Sequence, residues 1–153
     1  RAIHLSRDTQ PLAGIRDEFY EESKIKRAKI YDIFICLGGT DNRNLSAKIA
    51  LELDKNKKIF IATTSKNANL QMLQVVANKS DNITLGVDIK DFAQKMNESK
   101  KLIISASSLV NEALLLKADF KAICTNQNQY KIAQWLKASG REVDIYDSKG
   151  GFL

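Results

Sequence analysis

Apolar residues in this chain come in short unbroken runs, spaced by stretches with helical composition. The runs that predict strands are Ile33 to Leu37, Ile59 to Ala62, Ile83 to Gly86, a run beginning at Leu102, Phe120 to Cys124, and a short final strand over Glu142 to Tyr146. Runs of this length without polar alternation suit strands covered on both faces, as in a parallel sheet. Between them the sequence predicts helices over Arg43–Leu53, Asn69–Asn78 and Ile89–Asn97, one after Ser108, and one over Asn128–Ser139 closed by Gly140. Ahead of the first strand, Gly14 to Ile30 reads as a charged helix. Its acids, Asp17, Glu18, Glu21 and Glu22, come early and its bases, Lys24 to Lys29, come late, which suits the helix dipole. Residues 1 to 13 read as a connecting segment and hold Pro11. Strands alternating with helices of about ten residues predict an α/β fold: a doubly wound, mostly parallel, Rossmann-like sheet of about six strands.

Composition narrows the class. The 153 residues make one ordinary domain, 44% hydrophobic and 27% charged, as in a globular chain. No apolar run approaches the roughly 18 residues that span a membrane. The start, RAIHLSRDTQ, is polar with no signal-peptide pattern, and it opens on Arg1 as a fragment or processed chain would. The net charge of +6 is scattered, with no basic stripe interleaved with aromatics, so nucleic acid is not an expected partner. The cluster Lys24–Lys29 reads as one solvated helix face. Cys36 and Cys124 sit inside apolar runs and read as buried thiols of a reducing, cytoplasmic compartment. With one histidine, His4, the chain offers no metal-ligand spacing and no histidine acid–base pair. No catalytic residue, metal or cofactor is expected in this chain.

One stretch carries candidate chemistry: LIISASSLVNEALLL, Leu102 to Leu116. An apolar strand passes through Ser105-Ala106-Ser107-Ser108 into a helix with one acid, Glu112. The first amides of a helix have no internal partner and carry partial positive charge, so such a turn suits a phosphate. Ser107 or Ser108 caps the helix, and Glu112, about a turn further in, suits the vicinal hydroxyls of a ribose. The same pattern also describes a βα unit that binds nothing. Gly38-Gly39-Thr40 follows the first strand and fits either a close approach to a ligand or a tight turn, with Asp41 and Asn42 as turn and cap residues. Asn126 to Gln129 follows the fifth strand. It is either a sugar-binding amide cluster, with Gln129 facing inward, or a polar loop with Asn128 as helix cap. Trp135 reads as core, and Arg16 as a partner of Glu18 or Tyr20 rather than of a phosphate.

These segments carry a resemblance. GGTD after the first strand, SASSLVNEALLLKADFKAI and QNQYKIA stand in the order and spacing of the C-terminal, nucleotide-binding half of GT-B-type proteins. Within that group PLAGIRDEF, DIFICLGGTDNRNLS and MNESKKLIISASSLVNEALLLKADFKAIC are similar to the UDP-sugar hydrolase family of the pseudaminic acid (flagellin glycan) pathway. The resemblance covers nearly the whole chain. A more distant likeness is to the glycosyltransferase that adds N-acetylglucosamine to the lipid-linked peptidoglycan precursor. The resemblance implies release of UDP from a UDP-diacetamido-trideoxy-altropyranose. It implies that Glu112 binds the ribose hydroxyls and that Ser107, Ser108 and Leu109 meet the phosphates. Gly39 and Thr40 would line the cleft, Ile83 to Val87 would lead to the uracil, and Asn111 and Gln129 would reach sugar or phosphate. It divides the chain into an interdomain linker and lead-in helix, 1–30, and a nucleotide-binding Rossmann-like domain, 31–153. The family's glycine-rich loop and catalytic histidine lie in an N-terminal half that is missing here, and His4 does not inherit that role. The expected partners are therefore UDP or a UDP-sugar and the missing N-terminal domain, and the chain alone is expected to bind UDP without hydrolysis. The alternatives are one half of a split GT-B glycosyltransferase and a non-catalytic nucleotide-sugar binding module.

Overall fold

The computed structural model describes residues 15–38, 41 and 44–145. Six strands, β1 (Tyr31–Cys36), β2 (Ile59–Thr63), β3 (Ile83–Val87), β4 (Ser99–Ser105), β5 (Phe120–Cys124) and β6 (Val143–Ile145), form one sheet. Their order is β3-β2-β1-β4-β5-β6, and every neighbouring pair is parallel. The α-helices are α1 (Asp17–Glu22), α2 (Leu45–Glu52), α3 (Leu70–Asn78), α4 (Phe92–Asn97), α5 (Ser108–Leu115) and α6 (Tyr130–Ala138). The expected α/β architecture is present, with the sheet wholly parallel.

The unbroken apolar runs are explained by burial on both faces. Ile33, Ile35 and Leu37 pack with Leu45, Ala47, Ala50 and Leu73 of α2 and α3. Phe34 and Cys36, pointing the other way, join Phe19, Met96, Val110, Ala113, Ala133 and Leu136 of α1, α4, α5 and α6. Successive strand side chains point to opposite faces, so a strand covered on both sides needs no polar position. Trp135 packs, partly buried, against the second of these clusters, as expected of a core residue. At the end of α6 Gly140 takes φ +76°, with its N–H on the Lys137 carbonyl and the Arg141 N–H on that of Leu136. This is the left-handed closure expected there.

The lead-in helix is shorter than its composition suggests. It ends after Glu22, where the Ser23 hydroxyl donates to the Tyr20 carbonyl at 2.7 Å. Lys24 to Lys29 therefore do not form a solvated helix face. The chain must turn back to enter β1 beside β4, and tertiary bonds hold that turn. Asn97 donates to the carbonyls of Glu22 (3.3 Å) and Ile25 (2.9 Å), and Lys29 Nζ to the carbonyl of Asn97 (2.6 Å). The N–H groups of Ile30 and Tyr31 both reach the Glu98 carbonyl. With Phe19 fully buried, α1 is part of the same core as the sheet.

Glu22 anchors this turn. It accepts from Arg27 through both oxygens, at 2.7 and 3.0 Å, and from Asn97 at 2.8 Å. The Arg27 bonds chiefly, and then that of Asn97, hold its carboxyl below the ordinary value of 4.5. A carboxylate depressed in the folded state stabilises it fully above the unfolded value, and the stabilisation disappears as pH falls through the folded one. Urea unfolding across acid pH is expected to show a steeper loss of stability below about pH 4.5 in the native chain than in Glu22→Gln. Equal slopes would contradict this role.

Candidate functional site

β1 and β4 are adjacent although two strands separate them in sequence, because the chain leaves β1 in one direction and returns on its other side. At such a reversal the loops diverge and open a crevice beyond the carboxyl ends of the strands. A cleft of about 480 Å³ occupies this position. Cys36 and Gly38 line it at the end of β1, Thr63 and Thr64 at the end of β2, Asp88 and Phe92 from the β3–α4 connection and the start of α4, and Ser107, Ser108, Leu109 and Glu112 from the cap and first turns of α5, with Arg16 from the segment before α1. Gly38 has φ +93°, a backbone conformation L side chains rarely adopt. A larger concavity of about 620 Å³ lies at the opposite end of β2 and β3, lined by exposed Lys55, Lys58, Lys79 and Asp81. It is at the wrong end of the strands for an α/β ligand site.

The end of the small-residue turn lines the cleft through Ser107 and Ser108. Ser107 is the residue before α5; its hydroxyl accepts from the Leu109 N–H at 3.4 Å and lies 2.9 Å from the Ser105 hydroxyl. Ser107 is therefore the cap, and Ser108, exposed, is the first helical residue. The electropositive end of α5 faces the cleft.

Glu112 lies one turn in and is 2% exposed. Arg16 grips it with both arms: Nε donates to Oε2 at 2.8 Å and Nη2 to Oε1 at 2.9 Å. The guanidinium also lies over the rings of Phe19 and Phe92, 5.0 and 4.9 Å from their centroids, with Glu18 at 3.8 Å. The hydrogen bond to Glu112 is the main reason the Arg16 pKa is raised above its ordinary value. Arg16 thus contacts Glu18 as the sequence suggested, but its bidentate partner is Glu112, which sequence reasoning did not find. No local signal joins two residues 96 positions apart.

Other expected residues take different places. Gly39, Thr40, Asn42 and His4 lie outside the described residues. Asp41, with φ +41°, accepts from the N–H groups of Leu45 (3.0 Å) and Ser46 (3.2 Å), so it caps α2. Burial raises its pKa, and those bonds oppose the shift. Asn111 is 2% exposed and is not among the residues lining the cleft, and its Oδ1 has no hydrogen-bond partner among the described residues. Gln129 is turned back on its own loop, its Oε1 accepting from the N–H (2.9 Å) and hydroxyl (3.2 Å) of Thr125. Asn128 does not cap α6; it sits inside a 3₁₀ turn, Gln127–Gln129, that precedes the helix. Thr63, Thr64, Asp88 and Phe92 were missed as cleft residues, because only the strand order brings the ends of β2 and β3 beside β1.

The arrangement offers an anion a helix terminus and a hydroxyl pair a buried carboxylate held by the Arg16 guanidinium. Cys36 is not an activated nucleophile there: burial pushes its thiol up to about 11. Among the described residues no cluster of histidine, cysteine or acidic side chains fits a metal ion, and no helix is long and apolar enough to cross a membrane.

No protein-family model matches the chain. It is 60% identical over 132 residues to the UDP-2,4-diacetamido-2,4,6-trideoxy-beta-L-altropyranose hydrolase of Campylobacter jejuni subsp. jejuni serotype O:2. That match covers 86% of this chain and 48% of the relative, so the chain spans about half the relative's length. Among solved structures, MurG of Acinetobacter baumannii superposes with a TM-score of 0.53 at 19% identity, over 83% of this chain and 39% of that one. The likeness to MurG is one of fold. The chain is thus a relative of the C-terminal part of the Campylobacter UDP-sugar hydrolase, on a six-stranded parallel α/β fold shared with part of MurG.

Proposed function

We propose that this chain is the UDP-binding half of a UDP-2,4-diacetamido-2,4,6-trideoxy-beta-L-altropyranose hydrolase acting in cytoplasmic pseudaminic acid synthesis. The observation that carries the reading is the cleft itself. The N-terminus of α5 and the buried carboxylate of Glu112 line one crevice at the chain reversal of the sheet. In this reading Ser107, Ser108 and Leu109 present the helix end to the diphosphate, and Glu112 accepts from the ribose hydroxyls. Gly39 and Thr40 complete the phosphate side, and Asn111 and Gln129 serve the sugar or phosphate once the cleft is filled. The identity to a protein named for a UDP-sugar supports this choice of nucleotide.

The reaction is attack of water at the anomeric carbon with cleavage of its C–O bond, UDP leaving. The α5 terminus stabilises the charge that grows on the leaving diphosphate. Activation of the water belongs to the half of the relative that this chain does not span; residues 1–30 lead in from it, with α1 packed on the nucleotide domain of residues 31–153. The chain alone binds UDP and hydrolyses nothing. Calorimetric titration with UDP, with ADP as control, tests the reading. Selective binding of UDP is expected; equal affinity for both nucleotides, or none for either, would overturn it.

A further inference from the structure

Glu112 is a carboxylate 2% exposed on the inner wall of the cleft, and a carboxylate so placed needs a counter-charge. Arg16 supplies it from outside the sheet's βα units, in the segment just before α1. Its two bonds use one acceptor position on each carboxylate oxygen. A carboxylate has about four such positions, so one on each oxygen remains. A vicinal diol needs two acceptors held at a fixed separation and in a fixed plane, and a forked guanidinium sets both.

Arg16 is itself held. Its guanidinium lies over Phe19 and Phe92, and Phe92 in turn packs edge-on against the fully buried Phe34 at 5.4 Å. A side chain placed between two rings and two carboxylates is a fixed support rather than a swinging cover. We infer that Arg16 is a positioning residue for nucleotide recognition. By fixing the plane of the Glu112 carboxylate, it makes the site select a ribose over a 2′-deoxyribose. The inference rests on the proposed ribose role of Glu112.

The test compares UDP with 2′-deoxyuridine diphosphate on the native chain, on Arg16→Lys and on Arg16→Gln, by calorimetry. Lysine keeps the charge and loses the fork; glutamine keeps a planar donor and loses the charge. Melting curves identify the folded variants, and either one suffices. The native chain is expected to prefer UDP by roughly tenfold, the worth of one hydrogen bond to a charged group. In the variants that preference is expected to fall to within about twofold while UDP binding weakens. A generally loosened site would weaken both ligands alike and keep their ratio. A folded variant that keeps the native ratio therefore overturns the positioning role and leaves the UDP reading intact. A variant that binds UDP more tightly would make Arg16 a cover over Glu112 and overturn the inference. A native chain without preference for UDP over the deoxy form would remove the ribose role of Glu112, and this inference with it.

Discussion

Phe34→Ala is expected to destabilise the chain by about 3–5 kcal/mol, the usual range for removing a buried phenylalanine from a core. Phe34 sits in β1, central in the sheet, and is fully buried. Its ring stacks on Phe60 at 6.0 Å with planes 3° apart, and meets Phe92 edge-on at 5.4 Å and 87°. The cavity left by alanine would be walled by strands on both sides, β2 and β4, which cannot collapse into it. The loss also reaches the cleft, because Phe92 carries the guanidinium of Arg16 on its face. Urea unfolding is expected to show a lower midpoint with an unchanged slope. A loss below about 1 kcal/mol would mean that the aromatic cluster repacks and does not brace the site.

Glu112→Ala is expected to weaken UDP binding by on the order of 1–3 kcal/mol, the worth of hydrogen bonds to a charged acceptor. That is about 5-fold to 150-fold in Kd. The substitution removes the only side chain in the described cleft wall that is both buried and negatively charged. Arg16 keeps Glu18 and two aromatic rings when Glu112 is gone, so its half-exposed charge is not stranded. The effect is therefore expected in affinity more than in folding, and calorimetry with a parallel melting curve separates the two. Glu112→Gln keeps the shape and one acceptor and should fall between. Unchanged UDP affinity in Glu112→Ala would end the ribose role.

Much of this was legible in the sequence because it is local. Strands buried on both faces write themselves as unbroken apolar runs, and Phe120 to Cys124 matches its strand residue for residue. A serine cap at 107 or 108 was legible because a hydroxyl before a helix has a free amide to meet, and the structure selects Ser107. What was not legible depends on tertiary pairing. The Lys24–Lys29 stretch has helical composition, yet Asn97, distant in sequence, donates to the Ile25 carbonyl and accepts from Lys29 Nζ, and so leads it into β1. The contact of Gln129 with Thr125 was not legible either, because an amide after a strand can face either way; here its Oε1 accepts from the Thr125 N–H. The pairing of Arg16 with Glu112 follows from α1 packing beside α5, which neither segment announces.

The most direct test of the central claim is a UDP titration of the labelled chain followed by backbone amide NMR, residue by residue. The account predicts saturable shifts centred on Ser107, Ser108, Leu109 and Glu112, with Gly38 and Arg16 moving alongside them. Shifts gathered instead around Lys55, Lys79 and Asp81, at the far end of the sheet, or no shifts with UDP, would contradict it.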